Sequence, residues 1–196
     1  MNFFKKIFST SDKPKEDSNK LETNPNLPLD ELFAHNFTKK KGKFLYCTSQ
    51  DEINENLKNI LVENNWNSLV CFDDDLDKLA FILNIDSSNK IDKTKAFFTN
   101  CEQLVAEDGS ILFSSNQIKE IKLNELPENF IVFAKTSQIL KEKKDVLTSI
   151  NSKYKKEKPS NISAVKHYDT SKKLDDLMDY GNLNTKKLYL LLLEDL

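Results

Sequence analysis

The chain has 196 residues, 31% of them charged, with a formal net charge of −2. That length suffices for one domain with a sizeable core. The near-neutral charge excludes general attraction to nucleic acid or to an anionic membrane, and a mean hydropathy of −0.57 fits a soluble protein.

All 29 basic residues are lysine. Arginine, the usual bidentate clamp for carboxylate and phosphate, is absent, so an anion site must use lysine, backbone N–H groups or a helix N-terminus. A genome rich in Lys and Asn codons explains most of that bias. Cys47, Cys71 and Cys101 are widely spaced and lie in or beside apolar runs. With no Cys-x-x-Cys pair there is no pattern for a zinc site or an iron–sulfur cluster, and the thiols read as small buried hydrophobes in a reducing, cytoplasmic setting. His35 and His167 are too few for a histidine-rich metal centre. Gly42, Gly109 and Gly181 are the only glycines, so neither G-x-G-x-x-G nor a Walker loop can be written. No cofactor of its own is expected.

Residues 1–28 read as an arm and linker, and residues 29–196 as an α/β domain. Met1–Ser9 places Phe3, Phe4, Ile7 and Phe8 on one helical face with lysines between. Such an arm more often docks on its own protein or a partner than lies on a membrane. It is too short for a secretory core, and no stretch approaches transmembrane length. Thr10–Pro28 is polar, with Pro14, Pro25 and Pro28, as flexible linkers are.

From Leu29 the spacing of Leu29, Leu32 and Phe33 predicts a helix, and Phe44–Cys47 a strand. Ser49 with Glu52 forms a capping box ahead of Ile53, Leu57, Ile60 and Leu61. Ser68–Phe72 reads as a strand. Asp73-Asp74-Asp75 opens the next helix, where the helix dipole accounts for the acids better than calcium does, since the Asp-x-Asp-x-Asp-Gly spacing is missing. Lys95–Thr99 is the next strand. Later elements are a helix marked by Ile139, Val146, Leu147 and Ile150, a strand Ile162–Val165, and a helix carrying Leu174, Leu177 and Met178. Leu188–Leu193 closes the series as a continuous apolar run, typical of a strand covered on both faces. Alternating strands and helices at these intervals predict a mainly parallel sheet flanked by helices.

Within Ala96–Lys135, Asp108-Gly109 separates two apolar runs and predicts an antiparallel hairpin of Gln103–Glu107 with Ser110–Ser114, attached to the parallel sheet. On that reading Glu107 is a turn-flanking charge. The segment Ala106-Glu107-Asp108-Gly109-Ser110-Ile111 resembles the A-E-T-G-T-[IVL] stretch of the LUD domain, found in lactate-utilisation protein C and in part of its iron–sulfur partner, protein B. Leu126-Pro127-Glu128-Asn129-Phe130-Ile131-Val132 is similar to that family's L-P-x-x-[HF]-[IV]-V. Gly181 and the closing strand match its last glycine and final strand.

The resemblance implies a fold like the sugar-phosphate isomerase, CoA-transferase and formyltetrahydrofolate cyclo-ligase group. It also implies a role in lactate utilisation beside iron–sulfur and cysteine-rich subunits, as an accessory subunit or a binder of a small organic acid. Two departures stand out. Lys166-His167-Tyr168-Asp169-Thr170-Ser171 replaces the family's G-P-S-x-T-A-D, and its usual central arginine gives way to Lys119 or Lys122. The candidate site residues are Glu107 as base or carboxylate nucleophile, with Gly109, Ser110, Asn116, Lys122 and His167 as ligand contacts, at the carboxyl ends of the parallel strands. Glu107 also supports a second reading, an independent enzyme of acyl, CoA or folate-type transfer. His167 beside Asp169 is not a catalytic pair at that spacing, and Lys141, Lys143 and Lys144 read as a solvated helix face.

Overall fold

The computed structural model describes residues 27–168 and 184–195. The Phe3–Phe8 arm, Asp169, the helix expected at Leu174–Met178 and Gly181 lie outside the described residues. Six strands form one parallel sheet: β1 (Lys43–Cys47), β2 (Ser68–Cys71), β3 (Asp86–Ser88), β4 (Ala96–Asn100), β7 (Asn129–Lys135) and β10 (Lys187–Leu193). Their spatial order is β1-β10-β7-β4-β2-β3. The apolar run of β10 sits between β1 and β7, with Leu190 paired to Phe44 on one side and Val132 on the other. Leu188, Leu190 and Leu192 face one core, and Tyr189 and Leu191 the other.

The capping signals act nearly as read. Ser49 accepts the Glu52 amide at the start of α2 (Gln50–Asn64), but the Glu52 carboxylate reaches one residue further back, to the amide of Thr48 at 2.6 Å. Asp73 caps α3 (Asp74–Ile82), accepting the amides of Asp75 and Leu76, which gives the acidic triplet its structural explanation. Helices α2 and α3 cover one face of the parallel sheet through Ile53, Leu57 and Leu76.

The opposite face is covered by α1 (Leu29–Lys39) and by a second sheet, which is where the structure departs from expectation. The hairpin forms, pairing β5 (Gln103–Val105) with β6 (Ser110–Phe113) in antiparallel register. Instead of joining the parallel sheet, it is the centre of a separate four-stranded sheet of order β8-β5-β6-β9. Ile139, expected in a helix, belongs to β8 (Ile139–Leu140), which pairs parallel to β5. The strand expected at Ile162–Val165 is β9 (Ser163–Val165), antiparallel to β6. Leu104, Ile111 and Phe113 pack inward with Phe97 and Phe130. Val105 and Leu112 point outward beneath Val146 and Ile150 of α5 (Asp145–Lys153), while Leu147, expected to be buried, is exposed.

The hairpin turn is pressed against α1. Asn36 donates its amide group to the carbonyls of Ala106 at 2.8 Å and Glu107 at 3.2 Å. Gly109 has φ +65°, and a Cβ there would lie 2.5 Å from the Phe37 amide nitrogen. The Gly109 carbonyl accepts the Tyr168 hydroxyl at 2.7 Å, and the Tyr168 ring packs 4.5 Å from that of Phe37. Both the positive φ and the backbone approach require glycine. Gly109→Ala is therefore expected to cost about 2 kcal/mol or more, read as a lower urea midpoint with unchanged slope. A midpoint within error of wild type would mean that α1 is not seated on the turn.

Candidate functional site

Three places carry chemistry. The first is the hairpin turn. Asp108 accepts the Ser110 amide at 3.1 Å and forms an ion pair with Lys143 at 2.8 Å. Burial alone would raise the Asp108 carboxyl, but hydrogen bonds from Lys143 and Ser110, with Lys40 nearby, bring it below the ordinary aspartate value. Lys40 is half-buried and its ammonium is pushed down, by burial first, against the pull of Asp108, with Lys143 and Lys166 adding to the drop. Two lysines from distant segments, Lys40 and Lys143, thus flank one aspartate, and Lys166 lies near Lys40. Glu107 is exposed beside them, its amide donating to the Lys141 carbonyl at 3.0 Å and its carboxylate accepting the Lys143 amide at 3.2 Å. Ser110 is buried.

The second place was not singled out from sequence. Glu102, between β4 and β5, has a fully buried side chain. Oε1 accepts Lys153 Nζ and the Tyr154 hydroxyl, both at 2.9 Å, and Oε2 accepts the Ser114 hydroxyl at 2.9 Å and Gln117 Nε2 at 3.5 Å. Asn116 joins through Tyr154, at 3.0 Å. Burial by itself raises a carboxyl, but the hydrogen bonds from Lys153, Tyr154 and Ser114 outweigh it and the Glu102 carboxyl is lowered. A carboxylate with four donors and no exposure is a pin, tying the β4–β5 junction to α5 and to the short helix α4 (Ser115–Ile118). The sequence held one sign of it, a glutamate inside the apolar stretch Ala96–Ala106, where a charge is buried only when paired.

The third is a cleft of about 450 Å³ at the carboxyl ends of three parallel strands. Tyr46 from β1, Glu194 after β10, and Thr136 and Ser137 after β7 line it, with Leu29 and Asp30 in the first turn of α1. Burial first, then a hydrogen bond with Glu194, raises the Tyr46 hydroxyl. Asp195 braces two of the lining residues, accepting the Thr136 hydroxyl and the Ser137 amide at 2.9 Å.

The expected site residues are accordingly dispersed. Glu107, Gly109 and Ser110 lie together, but against the C-terminal half of α1 rather than at the carboxyl strand ends, which gather around its first turn. Asn116 belongs to the Glu102 network. Lys122 is exposed ahead of a 3-10 turn at Leu123–Glu125. His167 is exposed and forms a parallel bridge with Thr185, its carbonyl accepting the Lys186 amide at 3.2 Å. Lys186 itself is buried, donating to the carbonyls of Leu126 at 3.1 Å and Pro127 at 2.8 Å, and burial lowers its ammonium to about 8. The three thiols are buried, and burial pushes Cys71 up to about 12. Among the described residues, no three of His, Cys, Asp and Glu converge as a metal set, and no helix is long and apolar enough to cross a membrane.

Comparison with known proteins bears on the family and fold. The family model described as the LUD domain matches residues 86–193. A DUF162 family protein from Deinococcus radiodurans, known from its crystal structure, superposes with a TM-score of 0.59 at 10% identity, over 86% of this chain and 99% of that one. No curated protein sequence matches this chain.

The two buried charges give pH signatures of the same sign in different windows. Glu102 is lowered on folding, so its contribution is full above about pH 4.3 and disappears as pH falls through the folded value. Glu102→Gln should cost about 2 kcal/mol at pH 7, and the gap from wild type should close below pH 4; a gap independent of pH would remove the ion pair from the explanation. Lys186 is also lowered, so the unfolded chain holds more protons than the folded one between about pH 8 and about 10.4. Relative to Lys186→Met, wild type should therefore gain stability across that window; parallel curves would show that the buried ammonium is not desolvated.

Proposed function

Because the chain belongs to the LUD domain family, we propose that it serves lactate utilisation as an accessory subunit that binds a small organic acid and has no redox centre of its own. The observation that supports this reading is the cationic cluster at the turn that the family match includes, where Lys143 and Lys40 flank Asp108 and Lys166 lies near Lys40. A lactate-sized carboxylate is held there by lysine point charges rather than by a guanidinium fork, so binding is loose and sensitive to salt. The three cysteines are buried and lie far apart in sequence, which leaves electron transfer to iron–sulfur and cysteine-rich partner subunits. The setting is cytoplasmic. Glu107 orders the 141–143 segment through the Lys143 amide, and its exposed position supports this bracing role over that of a nucleophile.

The test uses the full tagged chain from its own cells. Native purification should recover iron–sulfur subunits in fixed ratio, and lactate should raise the melting temperature. Lys40→Gln combined with Lys166→Gln should weaken lactate binding by about tenfold or less, whereas Glu107→Gln should leave it unchanged. A chain that runs alone in native lysate and does not respond to lactate, pyruvate or related acids would overturn the reading.

A further inference from the structure

The cleft at the carboxyl ends of β1, β7 and β10 is chemically unlike the turn. Its volume of about 450 Å³ falls within the small-ligand range of about 300–1,000 Å³. Among the described residues no lysine lines it; Asp30 and Glu194 supply carboxylates, Tyr46 a ring, and Leu29 with Ile139 an apolar wall. An organic acid would meet only negative charge there, while a cationic segment with apolar side chains meets both of its requirements.

We propose that this cleft is the docking site of the chain's own N-terminal arm, Phe3–Phe8. Attachment is the first argument. Leu29 begins α1 and stands in the cleft wall, so everything before it leaves from the rim. Charge is the second: Met1–Ser9 contains Lys5 and Lys6, no acidic residue, and the apolar Phe3, Phe4, Ile7 and Phe8. The third is reach. Residues 9–28 are polar, and about twenty residues of coil reach about 25 Å, enough for the arm to turn back onto the rim. Such a tether holds the arm at an effective concentration of order millimolar, so even a weak contact is populated. Docking there calls for one phenylalanine in the cavity and Lys5 or Lys6 beside Glu194. This proposal is independent of the organic-acid reading, which concerns the turn.

The experiment places a benzophenone amino acid at position 4 of the full chain and maps the photo-crosslinks by mass spectrometry, mixing light and heavy isotope-labelled copies. The expected products lie within one chain, joining position 4 to the peptides that contain Tyr46, Thr136–Ile139 or Glu194. Asp30→Lys with Glu194→Lys, or 0.5 M salt, should lower their yield at least threefold while the melting curve stays cooperative. Crosslinks scattered over the surface, or confined to the exposed Phe81 and Ile82 of α3, would overturn the proposal. Products found only between light and heavy copies would assign the cleft to a second copy. Crosslinks unchanged by both substitutions would remove charge as the recognition element and overturn it as well. If position 4 is instead captured only by vesicles of phosphatidylcholine and phosphatidylserine, the arm is a membrane element and the proposal fails.

Discussion

Burial of β10 on both faces is the constraint from which the architecture follows. A strand reading Leu-Tyr-Leu-Leu-Leu-Leu cannot leave either face to water, so the parallel sheet needs two covers. Two amphipathic helices supply one. The other comes from α1 and a second sheet, and that sheet has an outer apolar face of its own. Helix α5 covers this last face. The molecule is layered because each cover, except the outermost, creates a new surface to be buried.

This ordering explains why polar groups sit where they do. The outermost layer has the smallest apolar contact, built on Val105, Leu112, Val146 and Ile150, and it is there that Glu102 gathers Lys153, Tyr154, Ser114 and Gln117 around one carboxylate. Buried ionic groups contribute less to net stability than to choosing one arrangement among several. Here the choice concerns where α5 ends and how α4 sits against it. The hairpin turn plays a comparable part for α1, through backbone contacts that depend on having no side chain at position 109.

The sequence displayed the parallel sheet well. Apolar runs of strand length alternate with capped helices from Leu29 to Phe98, and those signals are local. It did not display the division into two sheets, because which strand edges hydrogen-bond depends on partners distant in sequence: β5 finds β8 some thirty-five residues on, and β6 finds β9 about fifty on. Ile139 shows the same limit. As one apolar residue a few positions before a helical pattern it fits a helix, and only pairing with Leu104 makes it a strand. For the site, the turn residues were visible because Asp-Gly is a conspicuous pair, but their neighbours were not. Lys40 and Lys143 come from distant segments and look like surface lysines until the fold brings them to Asp108, with Lys166 near Lys40. Glu102 was overlooked because hydrophobic patterning treats a charge inside an apolar run as an interruption.

The place of β10 in the chain has a consequence for how the protein assembles. Among the described residues it is the last strand in chain order, yet it lies between the first, β1, and β7. Until residues 187–193 leave the ribosome, β1 has no partner in the sheet, and β7-β4-β2-β3 ends in an unsatisfied edge of seven residues. Nascent chains therefore display an open, apolar strand edge from the time β7 emerges until β10 follows it, the kind of surface on which chaperones act and aggregates grow. Pairing of β10 with β1 joins segments about 145 residues apart, a long-range contact of the kind that slows folding.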